Sequence, residues 1–176
     1  HLIMTKEISN CLIVVPVSLL SNWMHEFKIW GGVLKPRVVT GNQNKRKVIY
    51  NMQTPVQIVS YESVRNDIEI LTSNNFYDLV ILDEAQRIKN DSAIISRAIK
   101  KIPREYSWAL TGTPLENSIE DIASIFGFVN PKTISKYDFP KDVKRKIDPH
   151  TIRRRKRDVL KDLPDVIEQD IRIRLN

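Results

Sequence analysis

Cysteine is nearly absent: Cys11 is the only one in 176 residues, so no disulfide can close within the chain. Histidine is almost as scarce. Three scattered histidines and one cysteine cannot supply a zinc cluster. Cys11 sits inside an apolar run, which predicts a buried, unreactive thiol. No apolar run approaches the ~18 residues that a membrane span requires. Residues 1–10 have no apolar centre of the kind a secretory signal carries. No membrane partner is expected. There is no internal repeat and no low-complexity segment.

What remains is the composition of one ordinary globular domain, with 41% hydrophobic and 28% charged residues. The net charge of +7 is unevenly placed: residues 132–161 hold twelve Lys/Arg against four Asp/Glu, and the rest of the chain sums to −1. A local basic segment suits a local anionic partner, or it is simply a solvated tail.

Short apolar runs alternate with amphipathic stretches. Strands are predicted at 11–15, 37–40, 56–60, 79–82 and 107–110, and helices at 18–30, 42–51, 61–71, 93–101 and 119–129. Ser18 or Ser21 is expected to cap the first helix, and Gly31-Gly32 to end it. Strands of this length separated by helices indicate βαβ units and a mostly parallel α/β sheet. Beyond Pro131 the pattern changes. Pro140 and Pro149 read as breakers, residues 151–161 as a helix, and residues 167–175 as a late strand. The division expected is a lobe over 1–131 and a basic linker, brace helix and late strand over 132–176.

In parallel sheets, ligands gather at the carboxyl ends of the strands. Four such ends are polar here: Pro16-Val17-Ser18, Ser60-Tyr61, Asp83-Glu84 and Thr111-Gly112-Thr113. A strand ending in Asp-Glu suits nucleoside triphosphate hydrolysis. The Asp can hold Mg²⁺ through water, and the Glu can orient and deprotonate the attacking water. The same two acids also serve simply to begin a turn or cap a helix. The LTGTP run at 110–114 offers a tight glycine turn and two hydroxyls within reach of a carboxylate, although an ordinary strand-to-helix turn uses the same residue types.

Five blocks in order carry a resemblance. These are LIVVPVSLLSNW at 12–23 with Glu26-Phe27, VSYE at 59–62, DEAQRIKN at 83–90, ALTGTPLENSIEDIASIFGFVNP at 109–131, and IRRRKRDVLKDLP at 152–164. Together they resemble the Swi/Snf-type DNA-dependent ATPases of helicase superfamily two, over about residues 11–170. The resemblance implies a RecA-like first lobe with helices on both faces of its sheet. It also implies ATP and Mg²⁺ as cofactors, double-stranded DNA as partner, and a second RecA-like lobe facing the first. ATP hydrolysis would drive translocation on duplex DNA or remodelling of DNA–protein complexes.

Carried over by position, Asp83 would coordinate the magnesium and Glu84 would be the catalytic base. Gln86 would couple the nucleotide to Thr111, Gly112 and Thr113. Pro16, Ser18, Asn22, Ser60, Tyr61 and Asn117 would lie near the DNA backbone, where such side chains contact phosphates without reading bases. Arg155 and Lys156 would bind phosphates too, whereas Arg153 and Arg154 would brace the lobes. The location implied is the nucleoid-associated cytoplasm in a prokaryote and the nucleus in a eukaryote.

No G-x-x-x-x-G-K-[ST] motif is present; the five glycines fall at 31, 32, 41, 112 and 127, none before Lys-Ser or Lys-Thr. In the family that phosphate loop lies shortly before the strand matched by 11–15. The expectation is a lobe truncated at its N-terminus, inactive as an isolated piece and exposing apolar surface where a strand is missing. The alternative is a non-catalytic nucleic-acid-binding or interaction domain that uses the basic 132–161 segment.

Overall fold

Among the described residues five short strands pair edge to edge, and two of them are buried along their whole length. In the computed structural model, which describes residues 1–112, 118–135 and 137–154, β1 (Cys11–Val15) and β3 (Val56–Ser60) are buried at every position. Burial on both faces is the mark of an inner strand of a parallel sheet. With β2 (Arg37–Val39), β4 (Tyr77–Leu82) and β5 (Arg104–Ala109) they form one sheet in the order β2-β3-β1-β4-β5, all pairs parallel.

The described residues also form six helices: α1 (Leu20–Trp30), α2 (Gln43–Tyr50), α3 (Tyr61–Asn74), α4 (Ile94–Lys100), α5 (Ile119–Val129) and α6 (Pro140–Ile147). Alternate strand residues feed two cores. Leu12, Val14, Val59, Val80 and Leu82 pack with Val64, Leu71, Ile99, Ile125 and Phe128. On the other face Cys11, Ile13, Val15, Ile58 and Leu79 pack with Trp23, Met24 and Phe27 of α1 and with Leu2 and Ile3. Burial pushes the Cys11 thiol up to about 12, which keeps it protonated and unreactive.

Several elements differ from the expectation. Neither Ser18 nor Ser21 caps α1: residues Val17–Leu19 form a 3₁₀ turn, and Leu19 precedes the helix without a side-chain cap. Strand β5 begins three residues earlier than expected, at Arg104. Arg104 is partly buried there because its guanidinium lies over the Phe128 ring at 4.1 Å and donates to the Ile102 and Phe128 carbonyls at 2.7 and 2.8 Å. That burial pulls its pKa down to about 10.

Pro140 begins a helix rather than breaking one. It occupies the first turn of α6, where its missing N–H costs nothing. Residues 151–154 are exposed and not helical, unlike the expected helix start; the rest of that helix and the late strand at 167–175 lie outside the described residues. The five described strands follow one another without a gap. Apolar side chains are exposed at the β5 edge among other places: Tyr106 and Trp108 continue the face of Leu79 and Ile81 yet remain 53% and 49% exposed.

Candidate active site

The sheet order reverses at β1. From there the chain runs out to β2 and β3 on one side and to β4 and β5 on the other. Loops leaving β1 and β4 therefore diverge and open a crevice at their carboxyl ends. Pro16 follows β1 and Asp83 follows β4, with the Asp83 N–H donating to the Val14 carbonyl at 2.9 Å.

Glu84 adopts the left-handed conformation, φ 53° and ψ 51°. For a residue with a Cβ this costs about 1–2 kcal/mol, and such strain concentrates at functional sites. The turn separates two adjacent carboxylates. Asp83 accepts from the Trp23 indole N–H at 2.7 Å through Oδ2 and from the Glu84 N–H at 2.9 Å through Oδ1. Glu84 accepts from the Gln86 side-chain amide at 2.5 Å.

Gln86 continues the chain of contacts. Its amide oxygen accepts from the Thr111 hydroxyl at 2.8 Å. Amide nitrogen toward the acid and amide oxygen toward the hydroxyl satisfy both ends of the group. A side-chain bridge thus runs from Glu84 beyond β4 to Thr111 beyond β5. Backbone bonds hold the span in place: Leu110 N–H donates to Leu82 at 2.8 Å, and Ala85 N–H to Leu110 at 2.8 Å. Gly112 follows, exposed.

Further back, the Ile88 carbonyl accepts from Ser124 at 2.6 Å and from Ser96 at 3.2 Å. These two buried hydroxyls lock α5 and α4 to the 3₁₀ turn Ala85–Ile88 that carries Gln86. No sequence signal marked these serines beyond their place on buried helix faces.

The expected DNA-facing residues divide. Ser18 and Asn22 are exposed and Pro16 is half-buried, all on the segment that leaves β1. Ser60 and Tyr61 are not at the surface. The Ser60 hydroxyl accepts from the Ser63 N–H at 3.1 Å and caps α3. Tyr61 is fully buried, and its hydroxyl donates to the Asp83 carbonyl at 2.8 Å. Burial first, then the Asp83 charge, raises the Tyr61 pKa, so the hydroxyl stays a donor. Its ring carries the Arg87 guanidinium at 5.5 Å, and Arg87 also meets Glu62 at 3.4 Å. Tyr61 thus braces the acid turn from within, while Ser60 serves the start of α3; a strand end that enters a helix directly turns its side chains inward. Thr113, Asn117, Arg155 and Lys156 lie outside the described residues.

Among the described residues no cluster of three His, Cys, Asp or Glu could cage a metal. Magnesium does not require one, because it keeps several waters and takes one or two carboxylates plus phosphates. Asp83 fits that role. Two donors use about half of its four lone-pair positions, and the rest are open to metal-bound water.

The bridge supplies a test. Thr111→Val keeps the shape and removes the hydroxyl. Where the intact protein hydrolyses a nucleotide, losing a bond of about 1–1.5 kcal/mol is expected to lower kcat by about five- to thirteenfold, with KM within about twofold. Steady-state kinetics decide it; an unchanged kcat would mean that the bridge is structural only.

The chain is similar to several known proteins. The family described as SNF2-related domain matches residues 2–176. An ATP-dependent helicase of Mycoplasma pneumoniae is 37% identical over 179 residues, covering 94% of this chain and 17% of its own length. The human chromodomain-helicase-DNA-binding protein 1 is 27% identical, covering 94% of this chain and 11% of its own. Among solved structures, the Sulfolobus solfataricus SWI2/SNF2 ATPase core in complex with dsDNA superposes with a TM-score of 0.80 at 28% identity, over 93% of this chain and 38% of that one. The chain thus spans less than a fifth of the curated relatives it matches. Its parallel sheet has the architecture of the RecA-like lobe in that core, and the chain belongs to the SNF2-related family of helicase-like ATPases.

Proposed function

We propose that the intact protein hydrolyses ATP with magnesium and couples the reaction to movement along double-stranded DNA or to remodelling of DNA–protein complexes. The observation that carries this reading is the Glu84–Gln86–Thr111 bridge beside a half-engaged Asp83. When bound, magnesium nucleotide supplies the electrophilic phosphorus. Asp83 would hold that metal through its water ligands. Glu84 accepts the proton of the attacking water and holds its direction. Gln86 donates to Glu84 and accepts from Thr111, so a shift at β5 is felt at the base.

DNA contact is supported by exposed Ser18 and Asn22 beside Pro16, and by the duplex bound to the Sulfolobus relative. Such hydroxyl and amide groups hold phosphates without reading sequence. No phosphate-loop motif occurs in these residues. The reading therefore places that loop, and a facing second lobe with an arginine, elsewhere in the intact protein, where the arginine alone is worth about 10³–10⁵ in rate.

The test is phosphate release by the full-length protein, with magnesium, in the presence and absence of duplex DNA. Hydrolysis stimulated at least about fivefold by duplex is expected, weakening as salt screens the phosphate contacts. Duplex binding with no hydrolysis would favour a non-catalytic binding domain.

A further inference from the structure

Trp23 donates its indole N–H to the Oδ2 of an acid 60 residues away at 2.7 Å. It stands on the first turn of α1, next to exposed Asn22 and one short turn after exposed Ser18. Its ring is half-buried against Phe27, with centroids 6.2 Å apart, and rests on the α1 side of the sheet. An indole N–H donates and never accepts, and a bond to an ionised acceptor is short and strong. A purely structural tryptophan can satisfy that N–H on any nearby carbonyl. This one takes the acid at the end of β4.

The Asp83 carboxylate is therefore held between two donors, one from its own turn and one from α1. Asp83 meets α1 through the Trp23 side chain. A phosphate contact that moves the Val17–Trp30 segment by a fraction of an ångström must carry the carboxylate with it or break the bond. The bond thus joins two surfaces with different ligands: the exposed start of α1 and the open lone pairs of Asp83.

We propose that Trp23 is a positioning residue that energetically links duplex DNA on the α1 segment to magnesium nucleotide at Asp83. The inference rests on the function proposed above and names the residue that connects its two ligands. Linkage is reciprocal, so each ligand must tighten or weaken the other by the same factor.

The experiment measures the Kd of a fluorescein-labelled duplex for the full-length protein by anisotropy, with and without magnesium and a non-hydrolysable ATP analogue. The converse titration uses a fluorescent nucleotide with and without duplex. In the wild type the two ratios are expected to agree at a factor of about 5–150. In Trp23→Phe both ratios fall to within about twofold of one, while the nucleotide-free duplex Kd stays within about twofold of wild type. Placing 3-benzothienylalanine at position 23 keeps the ring's size and removes the N–H, and the same loss is expected even if the smaller Phe disturbs packing.

Coupling that survives both replacements overturns the proposal, as does a wild type that binds both ligands without coupling. A wild type that fails to bind nucleotide or duplex refutes the function itself, and this inference with it.

Discussion

Glu84→Gln in the intact protein is expected to lower ATP hydrolysis by about 10²–10⁴-fold, the share a positioned general base supplies. The change is nearly isosteric. The Gln86 amide donates to Glu84 at 2.5 Å, and a glutamine oxygen at position 84 accepts the same bond. The left-handed turn at residue 84 is a backbone feature that glutamine adopts at similar cost. Asp83 keeps both of its donors, because one is a backbone N–H and the other is Trp23. What disappears is the proton acceptor and the negative charge. Magnesium-nucleotide and duplex affinities should therefore stay within about threefold while kcat collapses, the pattern of an interaction made in the transition state. Single-turnover phosphate release, with nucleotide binding measured alongside, separates the two. A variant that keeps a third of the wild-type rate would remove Glu84 from the chemistry.

That carboxylate pair was legible in the sequence because position alone places it: an apolar run ends in two acids, and the parallel sheet sends every strand's carboxyl end to one edge. The inner strands were legible for the same reason, since CLIVV and VQIVS are buried on both faces. The Gln86–Thr111 contact was expected through the family resemblance, and the structure places the two side chains 2.8 Å apart. Elements whose local pattern is ambiguous were misread. Residues 104–106 lay outside the strand expected at 107–110, but a phenylalanine ring and helix-end carbonyls give Arg104 a partly buried place in it. Pro140 read as a breaker because proline stops a helix everywhere except at its start.

Side-chain direction was the least legible feature. Ser60 and Tyr61 stand at a strand end in the sequence, yet one caps a helix and the other turns under the acid loop. Trp23 was visible as a position in the expected 18–30 helix and as the last residue of the LIVVPVSLLSNW block, not as a partner of an acid. Its partner lies 60 residues away, and no local spacing encodes such a bond.

Asp67→Ala is expected to cost about 3–5 kcal/mol, the penalty for breaking a buried ion pair from one side. Asp67 on α3 is completely buried. It accepts from the Arg46 guanidinium through both oxygens, at 2.5 and 2.6 Å, and from the Tyr50 hydroxyl at 3.3 Å. The two-pronged geometry is the strong form of an arginine–carboxylate contact. The hydrogen bond to Asp67 is the main force raising the Arg46 pKa, against the pull of its own burial. Helix α2 needs this pair. It has eight residues, too few for a stable isolated helix, and Tyr50 is its one buried residue. Apart from that tyrosine and the Gln57 amide on its last carbonyls, the ion pair is its principal anchor to α3.

Removing Asp67 strands a guanidinium that is only 13% exposed. At 1.4 kcal/mol per tenfold, amide exchange in α2 and the start of α3 should then speed by about 10² to 4 × 10³-fold. A rise below tenfold would show that water solvates Arg46 readily and that the pair stabilises little. Arg46→Met combined with Asp67→Leu should recover most of the loss, because apolar residues of similar volume replace a buried pair at little cost. Among the described residues the Asp67 carboxylate bonds only to α2 residues, so kcat of the folded fraction should hold. Loss of chemistry with full protection in Glu84→Gln, and loss of protection with full chemistry in Asp67→Ala, would separate the acid that reacts from the acid that holds the fold.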